Sequence, residues 1–331
     1  MVKLTTSAQE KISQRLGQKV FITGVAGFIG GHLSERLLKM GLEVSGIDNL
    51  SNGLEDNISA AMGSSKFKLL RGDIMNPRDL SNCCRGVSTI VHLAAQPSVA
   101  KSVENPLWDF EQNVAATLRA LEEARRNDAA FIFASSSTVY GEASLPTPED
   151  HPLKPISNYG AAKVAGEIYC GAYSHLYGID TVSLRFYNIY GPRGRKGVMF
   201  DLLRKLQNNN LKLEVLGTGA QEKDYIHIDD ALDALLIAVG KGKMKGESYN
   251  VGSGESYNVK QLVKIILDKL GLEGRTKVFY KGGLSWPGDV QKTRADISRI
   301  MKLGFSPNVS IEEGLHKFMK WYEGEYGEIL S

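Results

Sequence analysis

The chain is 331 residues long, with 42% hydrophobic and 23% charged residues, and 40 Lys and Arg stand against 37 Asp and Glu. That balance belongs to an ordinary globular protein with room for one large domain or two smaller ones. A net charge of +3, spread rather than blocked, gives no reason to expect a nucleic acid or a membrane as partner. Three cysteines, Cys83, Cys84 and Cys170, do not make a disulfide framework, and no His or Cys spacing resembles a zinc site, so no metal is expected.

The first 17 residues are polar and read as a short surface helix, without the apolar centre of a signal peptide. No run approaches the roughly 18 apolar residues of a membrane span, and a cytoplasmic protein is expected. From Val20 onward short apolar runs alternate with stretches of helical period. Strands are predicted at 19–24, 43–48, 67–73, 88–95, 130–136 and 180–186, each nearly all apolar, as strands buried on both faces are. Helices are predicted over 28–40, closed by Gly41, then 77–84, 105–127, and 158–177, closed by Gly178. The alternation implies an α/β fold with a Rossmann-like, doubly wound parallel sheet. After Gly191-Pro192 the elements shorten and Gly, Pro and Asn increase, as in a smaller lobe, while a helix over 229–240 and a strand over 247–252 return to the first lobe. The expected organisation is an N-terminal extension (1–18), a cofactor domain (19–190 plus about 227–252) and a discontinuous substrate lobe (191–226 plus about 253–331).

Gly24, Gly27 and Gly30 recur at a three-residue spacing between a strand and a helix. Such glycines allow a tight turn and a close backbone approach to a pyrophosphate, and the helix N-terminus offers free N–H groups. A structural turn would also account for them, but the next strand ends in Asp48, 18 residues after Gly30. A carboxylate there accepts both ribose hydroxyls of adenosine and repels a 2′-phosphate, so NAD is expected rather than NADP. The third and fourth strands end in Gly72-Asp73-Ile74 and Leu93-Ala94-Ala95-Gln96, on the edge where ligands bind in this architecture. Small residues at 94 and 95 let backbone lie against a cofactor, and Asp73 can accept from an adenine amino group. Strand termination would explain each of these residues singly.

Tyr159 and Lys163 lie four residues apart, hence on one face of the predicted helix. A phenol is a poor base at neutral pH, but an ammonium and a positive nicotinamide ring both favour phenolate. Tyr159 could then remove a hydroxyl proton while hydride leaves the same carbon. The fifth strand runs into Ser135-Ser136-Ser137-Thr138, a hydroxyl cluster able to hold a carbonyl or alkoxide.

These segments, GVAGFIG (24–30), DNLSNG (48–53), GDI (72–74), HLAAQ (92–96), SSSTVYG (135–141), YGAAK (159–163), RFYNIYGPR (185–193) and PGDV (287–290), resemble the extended short-chain dehydrogenase/reductase family, in particular its nucleotide-sugar 4-epimerases of the UDP-glucose 4-epimerase type. The resemblance spans about residues 20–322. It implies a catalytic set of Ser136, Tyr159 and Lys163, with NAD along Gly24, Gly27, Phe28, Ile29, Asp48, Asn49, Ser51, Asn52, Gly53, Asp73, Ile74, Leu93, Ala94, Ala95, Gln96, Asn113 and Tyr187. It further implies that a transient 4-keto sugar forms and turns in the site before hydride returns to its opposite face. Related dehydratases resemble Thr-Asp-Glu where this chain has Ser136-Ser137-Thr138, and sugar-acid decarboxylases keep a glutamate at the Thr138 position, so the hydroxyl cluster favours epimerisation.

For the nucleotide sugar the resemblance implies Ser98, Ser137, Thr138, Asn188, Val198, Glu214, Val215, Lys223, Trp286 and Asp289. Two departures stand out. Lys223 and Trp286 occupy positions where relatives have arginine, and lysine cannot make the same bidentate phosphate contact. Either Trp286 stacks on the sugar or base, or Arg193 or Arg195 supplies the missing charge. The sugar therefore stays open among glucose/galactose, N-acetylated and uronic acid forms, and the nucleotide, UDP in the relatives it resembles, stays open with it. A reductase of a 4-keto nucleotide sugar, or another epimerase of the same family, is the alternative enzyme, and a catalytically silent NAD-sensing protein is the alternative class. Relatives pair through helices corresponding to 105–127 and 158–177, so a homodimer is expected.

Overall fold

The computed structural model describes residues 6–283 and 288–329. Helix α1 (Thr6–Leu16) leads into β1 (Lys19–Thr23), α2 (Phe28–Lys39), β2 (Glu43–Asp48), α3 (Ser59–Met62), β3 (Phe67–Arg71), α4 (Pro77–Cys83) and β4 (Thr89–His92). Then follow α5 (Val99–Glu104), α6 (Pro106–Phe110), a π turn (Glu111–Ala115), α7 (Ala116–Asn127), β5 (Ala130–Ser136), α8 (Asn158–Tyr177) and β6 (Thr181–Phe186). The remainder comprises β7 (Asn188–Tyr190), α9 (Val198–Asn208), β8 (Lys212–Val215), β9 (Glu222–His227), α10 (Ile228–Lys241) and β10 (Lys245–Val251). The chain closes with β11 (Ser256–Asn258), α11 (Val259–Lys269), β12 (Lys277–Tyr280), α12 (Ser298–Met301) and α13 (Ile311–Tyr326).

Seven strands form one sheet in the order β10-β6-β5-β4-β1-β2-β3, and every pairing within it is parallel. The expected doubly wound sheet is thus present, with β10 as a seventh strand beyond the six of the first lobe. Alternation along β1 shows how the layers form: Val20 and Ile22 join the core under α2 and α10, while Phe21 joins the opposite core with α7 and α8. Burying both faces explains the continuous apolar runs. Connectivity reverses between β1 and β4, and this is where the crevice for a ligand opens.

Three local differences from the sequence reading have physical causes. The helix expected over 105–127 runs without a break from Pro106 to Asn127, with the π turn inside it, and starts one residue late because Asn105 precedes Pro106 and sits at φ −139°, ψ 80°, outside the helical region. Its side chain instead accepts from the Trp108 N–H (3.2 Å) and starts α6. The strand expected over 88–95 stops at His92, because the Leu93 N–H reaches back to the Thr23 carbonyl and the Ala94 N–H to the Thr23 hydroxyl. Helix α1 is also more than a surface element: Ile12 and Leu16 are buried against α10, and Arg15 donates to the Val239 and Gly242 carbonyls.

A separate core gathers Leu202, Leu206, Leu213, Leu262, Ile266, Leu315 and Phe318 from α9, β8, α11 and α13. The extended segment near Ala295 and the turn of α12 pack instead on the first core through Ala295, Ile297 and Ile300.

Candidate active site

The crevice is walled by the carboxyl ends of β1, β4 and β5. Gly24 has φ +71°, and a Cβ there would lie 2.8 Å from the Ala94 nitrogen, so the β1 and β4 ends can approach only with glycine. A Cβ on Gly30 would stand 2.5 Å from the Gly24 carbonyl oxygen, which fixes the packing of α2 under the turn. At the start of α2 no side chain caps the free N–H groups behind Gly27, and Phe28 and Ile29 follow half-buried. Asp48, buried at the end of β2, accepts from the Ala26 N–H (2.9 Å) and the Leu50 N–H (2.8 Å), one per carboxylate oxygen. Each oxygen keeps acceptor capacity for a ribose hydroxyl. An uncapped helix end, a glycine cradle and an oriented carboxylate together fit an adenine dinucleotide.

The neighbouring loop is arranged around this carboxylate. Asn49 accepts from the Ser51 N–H and donates to Asp73 (3.0 Å), whose other oxygen caps the Met75 N–H beside buried Ile74. Gly53 leaves the space that a Cβ would take 2.7 Å from Asp48. Asn52 accepts from Lys196 (2.8 Å), a residue the sequence reading did not single out.

The hydroxyl cluster converges on Tyr159. The Ser136 oxygen accepts from both the Thr138 N–H (3.2 Å) and the Thr138 hydroxyl (3.0 Å), which leaves its own proton for the Tyr159 oxygen. Helix α8 begins one residue earlier, with Ser157 accepting from the Gly160 N–H, so Tyr159 and Lys163 share the face toward β5. Lys163 is 4% exposed; its Nζ donates to the Ala134 carbonyl (2.8 Å) and lies 4.9 Å from the Phe133 ring centroid and 5.6 Å from that of Tyr159. Burial pushes the Tyr159 phenol up to about 12, against the Ser136 hydrogen bond that lowers it, and burial pulls Lys163 down to about 8. The protein alone therefore holds Tyr159 as the neutral phenol.

Other expected residues are placed as follows. Leu93, Ala94 and Ala95 line the end of β4 half-buried. Gln96 and Asn113 are turned inward: the Gln96 N–H donates to Asn113 Oδ1 (2.9 Å) and Asn113 Nδ2 to the Gln96 carbonyl (3.1 Å). Both amides also donate to Asp109, which the sequence reading missed. Ser98 caps α5. Tyr187 and Ser137 border a small cavity with Lys292 and Thr293, two further residues no local motif had marked.

At the far end Asn188 donates to the Asp224 carbonyl, and Val198 opens α9 behind Gly197. Lys223 pairs with Asp289 (2.7 Å) and touches the Val290 carbonyl, so the structure brings together two residues expected at the nucleotide. Glu214 is held low by Lys281 and Lys212, and the Val215 side chain belongs to the second core. Trp286 lies outside the described residues. Arg193 pairs with Glu35 (2.6 Å) and His32 on α2, and Arg195 with Glu325 (2.8 Å). Both arginines thus fasten the loop 191–197 between α2 and α13.

The sequence model of the NAD-dependent epimerase/dehydratase family matches residues 20–252. The UDP-glucose 4-epimerase of Mycolicibacterium smegmatis is 35% identical over 317 residues, covering 93% of this chain and 99% of that protein. A structure of UDP-glucose 4-epimerase from Thermotoga maritima with UDP-glucose superposes with a TM-score of 0.85 at 32% identity, covering 93% of this chain and 99% of its own. The UDP-glucuronic acid 4-epimerase of Bacillus cereus, in complex with UDP-glucuronic acid and NAD, gives 0.86 at 32% identity, covering 93% and 100%.

Proposed function

The chain belongs to the NAD-dependent epimerase/dehydratase family, and from that premise we propose that it inverts C4 of a UDP-linked sugar, with Tyr159 as the acid and base. The observation that carries the reading is the convergence of Ser136, Thr138, Tyr159 and Lys163 beside a crevice shaped for a dinucleotide. Relatives named for UDP-glucose and for UDP-glucuronate stand at similar identity, so the sugar is left among those classes.

Bound NAD would supply the hydride acceptor and donor at C4. The protein's own groups handle the oxygen. Ser136, oriented by Thr138, can donate to the 4-oxygen, and the Tyr159 phenol beside it exchanges the proton. With its value pushed up to about 12 in the protein alone, Tyr159 becomes a base only when positive charge gathers around it, which ties proton removal to an occupied cofactor crevice. Lys163 contributes its ammonium from below and holds β5 through Ala134. Burial keeps water from competing for both groups.

A homodimer fits the surface. Leu107 is 79% exposed, Leu176 67% and Ile168 64%, and Phe110 and Tyr177 are also exposed, all on the neighbouring α6 and α8. Apolar side chains gathered in this way mark an interaction face. Among the described residues no helix is long and apolar enough to cross a membrane, and the proposed setting remains the cytoplasm.

The test is to incubate the purified protein with UDP-glucose, UDP-galactose, their N-acetyl forms and UDP-glucuronate. Interconversion of at least one pair without consumption of NAD is expected. Tyr159→Phe should lower the rate at least ~100-fold; a variant as fast as wild type would remove Tyr159 from its role.

A further inference from the structure

Arg193 and Arg195 stand on the loop 191–197, which joins β7 to α9 and so leaves and re-enters the second lobe beside Asn188 and Val198. Between those ends the loop lies on the cofactor domain. A Cβ on Gly194 would stand 3.4 Å from the Phe28 ring, so the loop backbone rests on the first residue of α2. One turn along α2, His32 has Nδ1 2.7 Å from Arg193 Nη2 and Nε2 2.9 Å from the Pro192 carbonyl oxygen. A guanidinium only donates, so Nδ1 accepts and Nε2–H donates, and the neutral ring serves both contacts. Lys196, at the far end of the loop, donates to Asn52 Oδ1 (2.8 Å).

Asn57 joins this loop to the glycine turn. It is 4% exposed, and its Nδ2 donates to the carbonyl of Ala26, between Gly24 and Gly27 (2.9 Å). Its Oδ1 accepts from Arg195 Nη1 (3.1 Å) and its backbone carbonyl from Arg193 Nη1 (2.8 Å). The Leu54 N–H reaches the same Ala26 carbonyl (2.9 Å), and the Ala26 N–H donates to Asp48 (2.9 Å), so both backbone polar groups of Ala26 are held by the segment 48–57. Arg195 also donates to Glu325 (2.8 Å) and to the Tyr326 hydroxyl (2.9 Å). A path of direct hydrogen bonds therefore runs from α13 through Arg195 and Asn57 to the turn at Ala26. Arg193 adds a sign of constraint. It sits at φ +69°, a left-handed conformation unfavourable for a residue with a Cβ, and Glu35, His32 and Asn57 all hold it there. Strain fixed by its surroundings in this way is typical of ligand clamps.

We propose that Arg193 and Arg195 are positioning residues for the cofactor: acting through Asn57, they hold the glycine turn in its dinucleotide-binding shape and tie it to the lobe that takes the sugar, so that NAD stays bound from one turnover to the next. The proposal rests on NAD being seated at the glycine turn. A dinucleotide held by backbone N–H groups leaves when the turn presenting them loosens, so contacts that stiffen the turn act mainly on release. Retention matters to the proposed reaction, because the hydride taken from C4 has to return to the same sugar. This role replaces the phosphate contact considered for the two arginines from the sequence.

The experiment loads the protein with NAD radiolabelled in the adenine, adds excess unlabelled NAD and follows the retained label by filtration. Arg195→Met and Arg193→Met are each expected to release the label at least ~10-fold faster than wild type, the loss of one hydrogen bond to a charged group. Arg195→Lys, whose compact ammonium cannot span the same partners, should fall between. Asn57→Ala should release like Arg195→Met, and the two combined no faster than Asn57→Ala alone. Leu262→Ala lowers stability from within the second core without touching this path, and its release should match wild type. Wild-type release in both methionine variants, or equally fast release in Leu262→Ala, overturns the proposal, and additive effects of Arg195→Met and Asn57→Ala overturn the route through Asn57. If the methionine variants do not fold, Arg195→Lys decides, and failure of all three to fold leaves the arginines purely structural. A wild type that retains no label also overturns the proposal. The measurement needs no turnover, so a wild type that holds NAD but interconverts no sugar refutes the epimerase reading alone.

Discussion

Replacing Lys163 by methionine should make the NAD-free protein more stable while removing its activity. Burial lowers the ammonium from its ordinary 10.5 to about 8, which weighs roughly 3 kcal/mol against the charged form. Against that stands the hydrogen bond to the Ala134 carbonyl, worth about 1–2 kcal/mol, while contact with the Phe133 ring is largely kept by a methionine sulfur. The net expectation is a gain of about 1–2 kcal/mol at pH 7, read as a higher urea midpoint at unchanged slope. The pH dependence identifies the cause. Because the folded value is lowered, the wild-type penalty is fully present below pH 8 and is relieved as pH rises from about 8 toward 10.5. The advantage of Lys163→Met should therefore shrink between pH 7 and pH 9.5. A methionine variant less stable than wild type at pH 7, or an advantage equal at both pH values, would refute the reasoning.

Asp48→Asn replaces one of two oxygens that accept backbone N–H groups with an amide donor, and it removes the charge facing the ribose. NAD affinity measured by calorimetry should fall about 10- to 100-fold and the preference for NAD over NADP should narrow; an unchanged preference would dissociate Asp48 from cofactor choice. On the outer face of α8, Ile168→Asp combined with Leu176→Asp places two charges where the apolar patch is proposed to meet a second copy. Light scattering after size exclusion should then give the monomer mass with the fold intact, and a mass unchanged from wild type would move the interface elsewhere.

What could be read in the sequence is what depends on neighbours along the chain. The turn at Gly24, Gly27 and Gly30 announces itself because positive φ and close backbone approach leave no other residue type free there. Tyr159 and Lys163 share a face by helical period alone, and Ser157 and Gly178 mark the ends of their helix. The helix start at Pro106 was available from the residue preceding a proline. Asp109 was not. Its spacing to Asn113 suggests a helical pair, but the hydrogen-bonded ring it closes forms only when the segment after β4 brings Gln96 to the same point. Ile12 and Leu16, likewise, look like one stripe of a surface helix until α10 is present to cover them.

The same distinction separates the residues proposed for catalysis from those proposed for the nucleotide sugar. Ser136, Tyr159 and Lys163 stand on β5 and α8, elements buried in the parallel sheet and its helical layer, so their geometry follows from the main core. Lys223 and Asn188 belong to short strands, Asp289 to a connecting segment and Val198 to the first turn of α9, so their positions follow from strand register and a helix end around the second core. The pairing of Lys223 with Asp289 adds a constraint: if the proposed nucleotide reaches Lys223, its diphosphate would have to share this ammonium with a carboxylate 2.7 Å away. An arginine could keep a carboxylate on one edge and offer the other to phosphate, whereas the compact ammonium offers less room for both. Nucleotide recognition at the proposed site would then lean less on one bidentate cation than in an arginine-bearing relative.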